Sequence, residues 1–172
     1  MKEKMKKRIL ALVGVAALVG LLLPTVVFSA EDTVTCTVSA YLVSVTVTDG
    51  DVIYGALEVG TSKSTLDLTD TQTATNDGTV TEDFDIKSTD ATRGGGTTWT
   101  LVTGTPGNNE FKHEFSTDSG SSWTAMTTSY ASLATSVGTS SSEEFDLQIT
   151  MPGSTDDYAE HSITVTVLAT QS

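Results

Sequence analysis

From Thr33 to the C-terminal strand the chain keeps a period of two, with apolar residues alternating against threonine, serine or acid. No stretch holds a convincing 3.6-residue period, so half-buried β-strands are the structure this pattern can satisfy. Val34, Cys36 and Val38 alternate with Thr33, Thr35 and Thr37, which predicts a strand with the Cys36 thiol buried between the two valines. Val43, Val45 and Val47 alternate on the opposite parity. A one-residue phase change at Tyr41-Leu42 flips every side chain, and predicts a bulge or kink where one long strand passes between sheets. The clearest pair comes late: Phe145, Leu147, Ile149 and Met151 run up to Pro152-Gly153, and Ile163, Val165 and Val167 follow.

Turn chemistry divides the middle. Asp49-Gly50-Asp51 is a turn before a strand at Val52-Ile53-Tyr54, which Gly55 ends. Ser64–Asp70 and Thr71–Thr75 read as short polar strands, separated from Val80, Phe84 and Ile86 by Asn76-Asp77-Gly78, whose residues tolerate positive φ. Arg93-Gly94-Gly95-Gly96 is a loop leading to Trp99 and Leu101, which point one way. Thr105-Pro106-Gly107-Asn108-Asn109 turns into Phe111, His113 and Phe115, and Trp123 opens the return arm. Met126, Tyr130, Leu133 and Val137 match a helical spacing, but the serines and threonines of Ala125–Val137 favour extended chain or loop. Residues 138–142 form a loop hinged at Gly138.

About eight to ten short strands at these intervals predict an all-β sandwich. An immunoglobulin-like Greek key is the first choice and a jelly roll the second. No internal repeat is present, which argues against a propeller or solenoid.

Ahead of the alternation the character changes. Lys2, Lys4, Lys6, Lys7 and Arg8 precede an apolar run from Ile9 to Leu23, Pro24 breaks it, and Val27, Ser29 and Ala30 are the small residues of a cleavage site. This is the layout of a secretory signal, expected to be cut after Ala30; retention as a membrane anchor is the alternative. The domains are therefore residues 1–30, a signal helix, and residues 31–172, the sandwich. Membrane contact is expected only through the signal segment, and the sandwich is placed outside the cytoplasm, secreted or at the cell surface.

The leader also holds five of the nine basic residues and, at Glu3, one of the 22 acids. Residues 31–172 thus carry 4 basic residues against 21 acids, a net charge of −17. A surface so acidic repels phosphate backbones, which sets nucleic-acid binding aside. Cys36 is the one cysteine, so no intrachain disulfide supports the fold.

Ser116-Thr117-Asp118-Ser119-Gly120-Ser121-Ser122-Trp123 resembles the Asp-box, Ser-x-Asp-x-Gly-x-x-Trp, at each defined position: Ser116, Asp118, Gly120 and Trp123. The resemblance implies a structural hairpin, pairing Phe111–Phe115 with Trp123–Thr127. It does not imply sialidase activity, since those enzymes combine several copies with an arginine triad, and Arg93 is the lone arginine beyond the leader. Trp99-Thr100-Leu101 is similar to the Trp-x-Leu signature of WxL cell-wall-binding domains, whose second motif is missing here.

Chemistry-bearing clusters are weak. His113 and His161 are the only histidines, and each reads as an ordinary strand residue. Glu82-Asp83, Glu143-Glu144 and Asp156-Asp157 read as solvated acids, although a glycosidase needs only one well-spaced carboxylate pair. Asp156 and Asp157 are candidate Ca²⁺ ligands without a specific motif, so no cofactor is expected. Trp99, Trp123, Tyr54, Tyr130 and Tyr158 are candidate stacking platforms. The leading expectation is a non-enzymatic, exported structural domain that partners itself or other surface proteins. A carbohydrate- or cell-wall-glycan-binding module is the alternative, and a carboxylate-dependent glycoside hydrolase the third reading.

Overall fold

A computed structural model describes residues 30–48 and 50–172, so the leader and its cleavage site, and Asp49 of the first turn, lie outside the described residues. The chain divides into two units, Met1–Val38 and Ser39–Ser172. Of the first, residues 30–38 contain no helix or strand and are exposed throughout. Val34 is 89% and Val38 97% exposed, and the Cys36 thiol is free and exposed. The buried strand thiol expected there is therefore corrected. Alternation gathers Val34, Cys36 and Val38 on one face, but a face is buried only when another layer covers it.

The second unit is all β apart from one helical turn. In chain order it runs β1 (Val45–Thr48), β2 (Ser62–Ser64), α1 (Thr65–Leu68), β3 (Gln72–Asn76), β4 (Glu82–Lys87), β5 (Thr100–Leu101), β6 (Glu110–Ser116), β7 (Thr124–Ala125), β8 (Ala131–Val137), β9 (Ser142–Thr150) and β10 (Thr166–Gln171). Seven strands form one sheet along the path β1-β3-β9-β6-β5, with β2 also on β9 and β7 also on β6. The other sheet is β10-β4-β8. All pairings between strands are antiparallel except the short β5–β6.

Register follows the alternation. Gln72 pairs with Phe145, His113 with Ile149 and Phe115 with Leu147, so these side chains share the inner face. Phe84 and Ile86 meet them from β4, with Leu133 and Val137 from β8, in one buried cluster that also holds Ala74, Phe115, Met126, Phe145 and Leu147. A second cluster joins Trp99, Phe111, Ile149 and Ala91. The stretch from Ala131 is strand, the extended one of the two states its serines and threonines left open, but its register slips twice against β4. Ser136, at φ 57, takes one of those irregularities. Leu133 and Val137 thus both turn inward while Thr135 stays exposed.

Other expectations are overturned locally. Ser64–Asp70 is not a strand: Ser64 accepts a hydrogen bond from the Asp67 amide and Asp67 bonds back to Ser64, a capping box that closes α1. Thr65 then donates to Asp146 at 3.0 Å and accepts from the Leu147 amide at 3.0 Å, tying the helical turn onto β9. No strand crosses at Tyr41-Leu42. Instead Thr79 donates its amide to the Leu42 carbonyl and its hydroxyl accepts from the Leu42 amide. Val52-Ile53-Tyr54 keeps its alternating burial, with Ile53 79% exposed, yet forms no ladder.

In the Asn76-Asp77-Gly78 turn no residue has positive φ. Gly78 is there for space, because a Cβ would lie 2.5 Å from the Leu42 carbonyl and overlap the Glu82 carboxylate. In the loop after β8 the positive φ falls on Ser140 rather than on Gly138.

Candidate binding groove

The inner faces of β6 and β9 do not meet the opposite sheet along their whole length. Between them and the segments 50–57 and 158–167 runs a groove of about 740 Å³. Val47, Val52 and Tyr54 border it on one side and Ile163, Val165 and Val167 on the other, over a floor of His113, Phe145, Leu147 and Ile149. The floor is largely apolar because it continues the core alternation of β6 and β9.

His113 is the polar exception. Its Nε2 lies 3.1 Å from the Tyr54 hydroxyl and its Nδ1 3.0 Å from the Ser88 hydroxyl. Burial drives its pKa down to about 4, so the ring is neutral at ordinary pH. Burial, and secondarily the charge of Asp70, pushes the Tyr54 phenol up. A neutral imidazole has one donor and one acceptor, which the two hydroxyls satisfy in series. Ser88 is fully buried, so this chain of three holds the floor together and offers no accessible nucleophile. The sequence hinted at it through the place of His113 between Phe111 and Phe115 and singled out Tyr54 only as a stacking platform; Ser88 carried no signal.

One end of the groove is a polar knot. Trp99 is 6% exposed, stacks on His161 with ring centroids 3.9 Å apart, and donates Nε1–H to Thr155 at 3.0 Å. His161 itself has Nδ1 2.8 Å from the Ala159 carbonyl and Nε2 2.7 Å from the Thr97 carbonyl. Asp157 accepts from Arg93 Nε at 2.5 Å, from the Thr97 amide at 3.1 Å and from the Ala159 amide at 3.1 Å. Arg93 first, then these amides, hold its carboxyl at about 2. The Gly-rich approach to Trp99 is thereby pinned, since a Cβ at Gly96 would collide with the Arg93 side chain.

Of the aromatic candidates, Tyr54, Trp99 and Tyr158 line the groove, whereas Trp123 and Tyr130 do not. Trp99 has one face taken by His161, and Tyr158, 82% exposed, stands on the groove rim. Tyr130 lies elsewhere, with the Lys87 ammonium 4.4 Å from its ring centre. Trp123 is half-buried and packs over Gly120 of its own turn.

That turn is built as its residue types demand. Asp118 accepts from the Ser116 hydroxyl at 2.7 Å, the Ser122 amide at 2.9 Å and the Ser122 hydroxyl at 2.5 Å. The Ser122 and Ser116 hydroxyls and the Ser122 amide hold its carboxyl at about 2. Ser119 and Gly120 both adopt positive φ, 54° and 78°, and Ser116 accepts the Gly120 amide at 2.9 Å. The hairpin arms pair Glu114 with Ala125 and Phe115 with Thr124.

Two of the acids expected on solvated faces are buried. Glu82 accepts the Ser44 amide at 2.9 Å through Oε1, while its buried Oε2 has no hydrogen-bond partner. Asp157 is the buried member of the Arg93 pair. Asp156 accepts from Asn109 at 3.2 Å, so neighbouring side chains occupy both loop acids considered for Ca²⁺. Among the described residues no three His, Cys, Asp or Glu side chains gather as metal ligands. No family model, no curated protein and no solved structure matches the chain.

Proposed function

We propose that this chain is an exported, non-enzymatic structural domain that acts at the cell surface or outside the cell as a subunit of an assembly. The observation that carries the reading is the stretch Thr33–Val38, a strand pattern that forms no strand and whose valines stand 89% and 97% exposed. A chain that presents such a segment to water is suited to a partner that covers it. The signal-like leader supports export, and the net charge of −17 over residues 31–172 supports solubility once outside.

The sandwich is read as immunoglobulin-like. Its antiparallel sheets, and the way β3, β4, β6, β8, β9 and β10 alternate between them, favour that choice. The hairpin at Ser116–Trp123 is read as an Asp-box in a purely structural role, supported by the hydrogen bonds around Asp118.

Fractionation of cells producing the full chain tests the reading. The protein is expected outside the cytoplasmic membrane, with mass spectrometry placing its N-terminus at Glu31. Recovery in the cytoplasm with residues 1–30 intact would overturn it.

A further inference from the structure

We infer that Thr33–Ser39 of one copy of this chain adds as an extra strand to the free edge of β10 in a second copy, with Val34, Cys36 and Val38 entering the groove. This rests on the assembly-subunit reading above and names its joint.

Donor and acceptor match in four respects. Among the described residues β10 pairs with β4 on one side and with no strand on the other; β1 comes near that edge without pairing to it, so the outer backbone groups of β10 are left for pairing. Val167 of β10 and Val165 just before it line the groove, so a strand laid along this edge would place alternate side chains over the same apolar floor. The lengths agree: seven residues span roughly 23 Å and the six of β10 roughly 20 Å at about 3.3 Å per residue. Charge agrees as well. Thr33–Ser39 and Thr166–Gln171 hold no acidic or basic residue, in a domain otherwise dense with acids. Two acidic copies can therefore meet along this line with little like-charge repulsion. The threonines at 33, 35 and 37 would face water, as Thr46 and Thr48 of β1 do.

A donor on one surface and an acceptor on another make a head-to-tail contact, which propagates as an open chain unless its rotation closes a ring. The expected product is a ladder of oligomers rather than a single dimer.

Cys36 being the only cysteine makes the test direct. In the full chain recovered after export, single cysteines are placed at Val165, Val167 or Ala169, which point toward the core, or at Thr166, Leu168 or Thr170, which alternate with them. After mild oxidation, interchain links from Cys36 are expected at least tenfold more abundant for the best member of the first set than for any of the second. Equal yields in both sets would overturn the joint, and so would a link formed within one chain. Val34→Asp with Val38→Asp provides a second arm that does not depend on cross-linking. Both positions are exposed in the single chain, so at dilutions where the wild type is monomeric the thermal midpoint is expected to stay the same, while at higher concentration sedimentation shifts from oligomers to monomer. A wild type that is exported but monomeric at every concentration defeats this inference and spares export. A protein that never leaves the cytoplasm defeats the reading on which it rests.

Discussion

Thr33–Val38 and Phe145–Thr150 alternate equally strictly, yet Val34 and Val38 are almost wholly exposed while Phe145, Leu147 and Ile149 are 2–4% exposed. The difference lies in neighbours. Strand β9 has β3 and β2 on one edge and β6 on the other, and its inner side chains meet β4 and β8 across the core. The N-terminal stretch has small side chains and no ladder. Alternation selects a face, whereas burial of that face depends on edges and layers supplied by distant parts of the chain.

The sharpest way to break the comparison is at Phe145. Phe145→Ala should cost about 3–5 kcal/mol, as large core truncations do, whereas Val34→Ala should stay within about 0.5 kcal/mol. Urea unfolding of the two variants measures both, and similar losses would erase the distinction.

His113 gives the next largest effect. Its folded pKa of about 4 lies below the ordinary value of 6.5, so between those limits the unfolded chain binds a proton that the folded chain refuses. Its contribution is complete above pH 6.5 and declines as pH falls toward 4, by about 1.4 kcal/mol per pH unit and about 3 kcal/mol in all. Subtracting the stability-versus-pH curve of His113→Gln from that of the wild type should isolate this slope. A flat difference would mean that the ring is not held dry.

Gly78→Ala should follow, at more than about 1 kcal/mol, because the new Cβ must displace the Leu42 carbonyl. It tests whether the Leu42–Thr79 attachment, where the N-terminal stretch gives way to β1, is as rigid as the core. The smallest loss expected within the sandwich is Ser64→Ala, about 1 kcal/mol from the lost cap. Thermal unfolding that ranks Ser64→Ala above Gly78→Ala would reverse the order assigned to these two sites.

Much of the fold was legible in the sequence. The inner faces of β4, β6 and β9, the extended state of β8 and the arms around Trp123 follow from period-two patterning and turn residues. Three stretches misled for separate reasons. At Ser64 a local capping box outweighed strand propensity, although the Ser-x-x-Asp spacing was there to be read. At Cys36 the pattern lacked a covering layer. At Glu82 an acid taken for a solvated one proved to be buried beneath the Gly78 turn, a fact set by chain contacts 38 residues apart. The groove was less legible still: Tyr54, Ser88 and His113 come from three separate segments, and only the alternation around His113 pointed inward.

By itself the sequence determined a β chain, its acidity, its dependence on a core without disulfides and most of its inward-facing residues. These follow from local geometry and composition, because side-chain direction in a strand depends on position along the chain alone. Tertiary structure decided which alternating segments were paired, which acids were buried, and where the two sheets parted to leave a groove. Those outcomes depend on contacts between residues far apart in sequence, which no period within a single segment encodes.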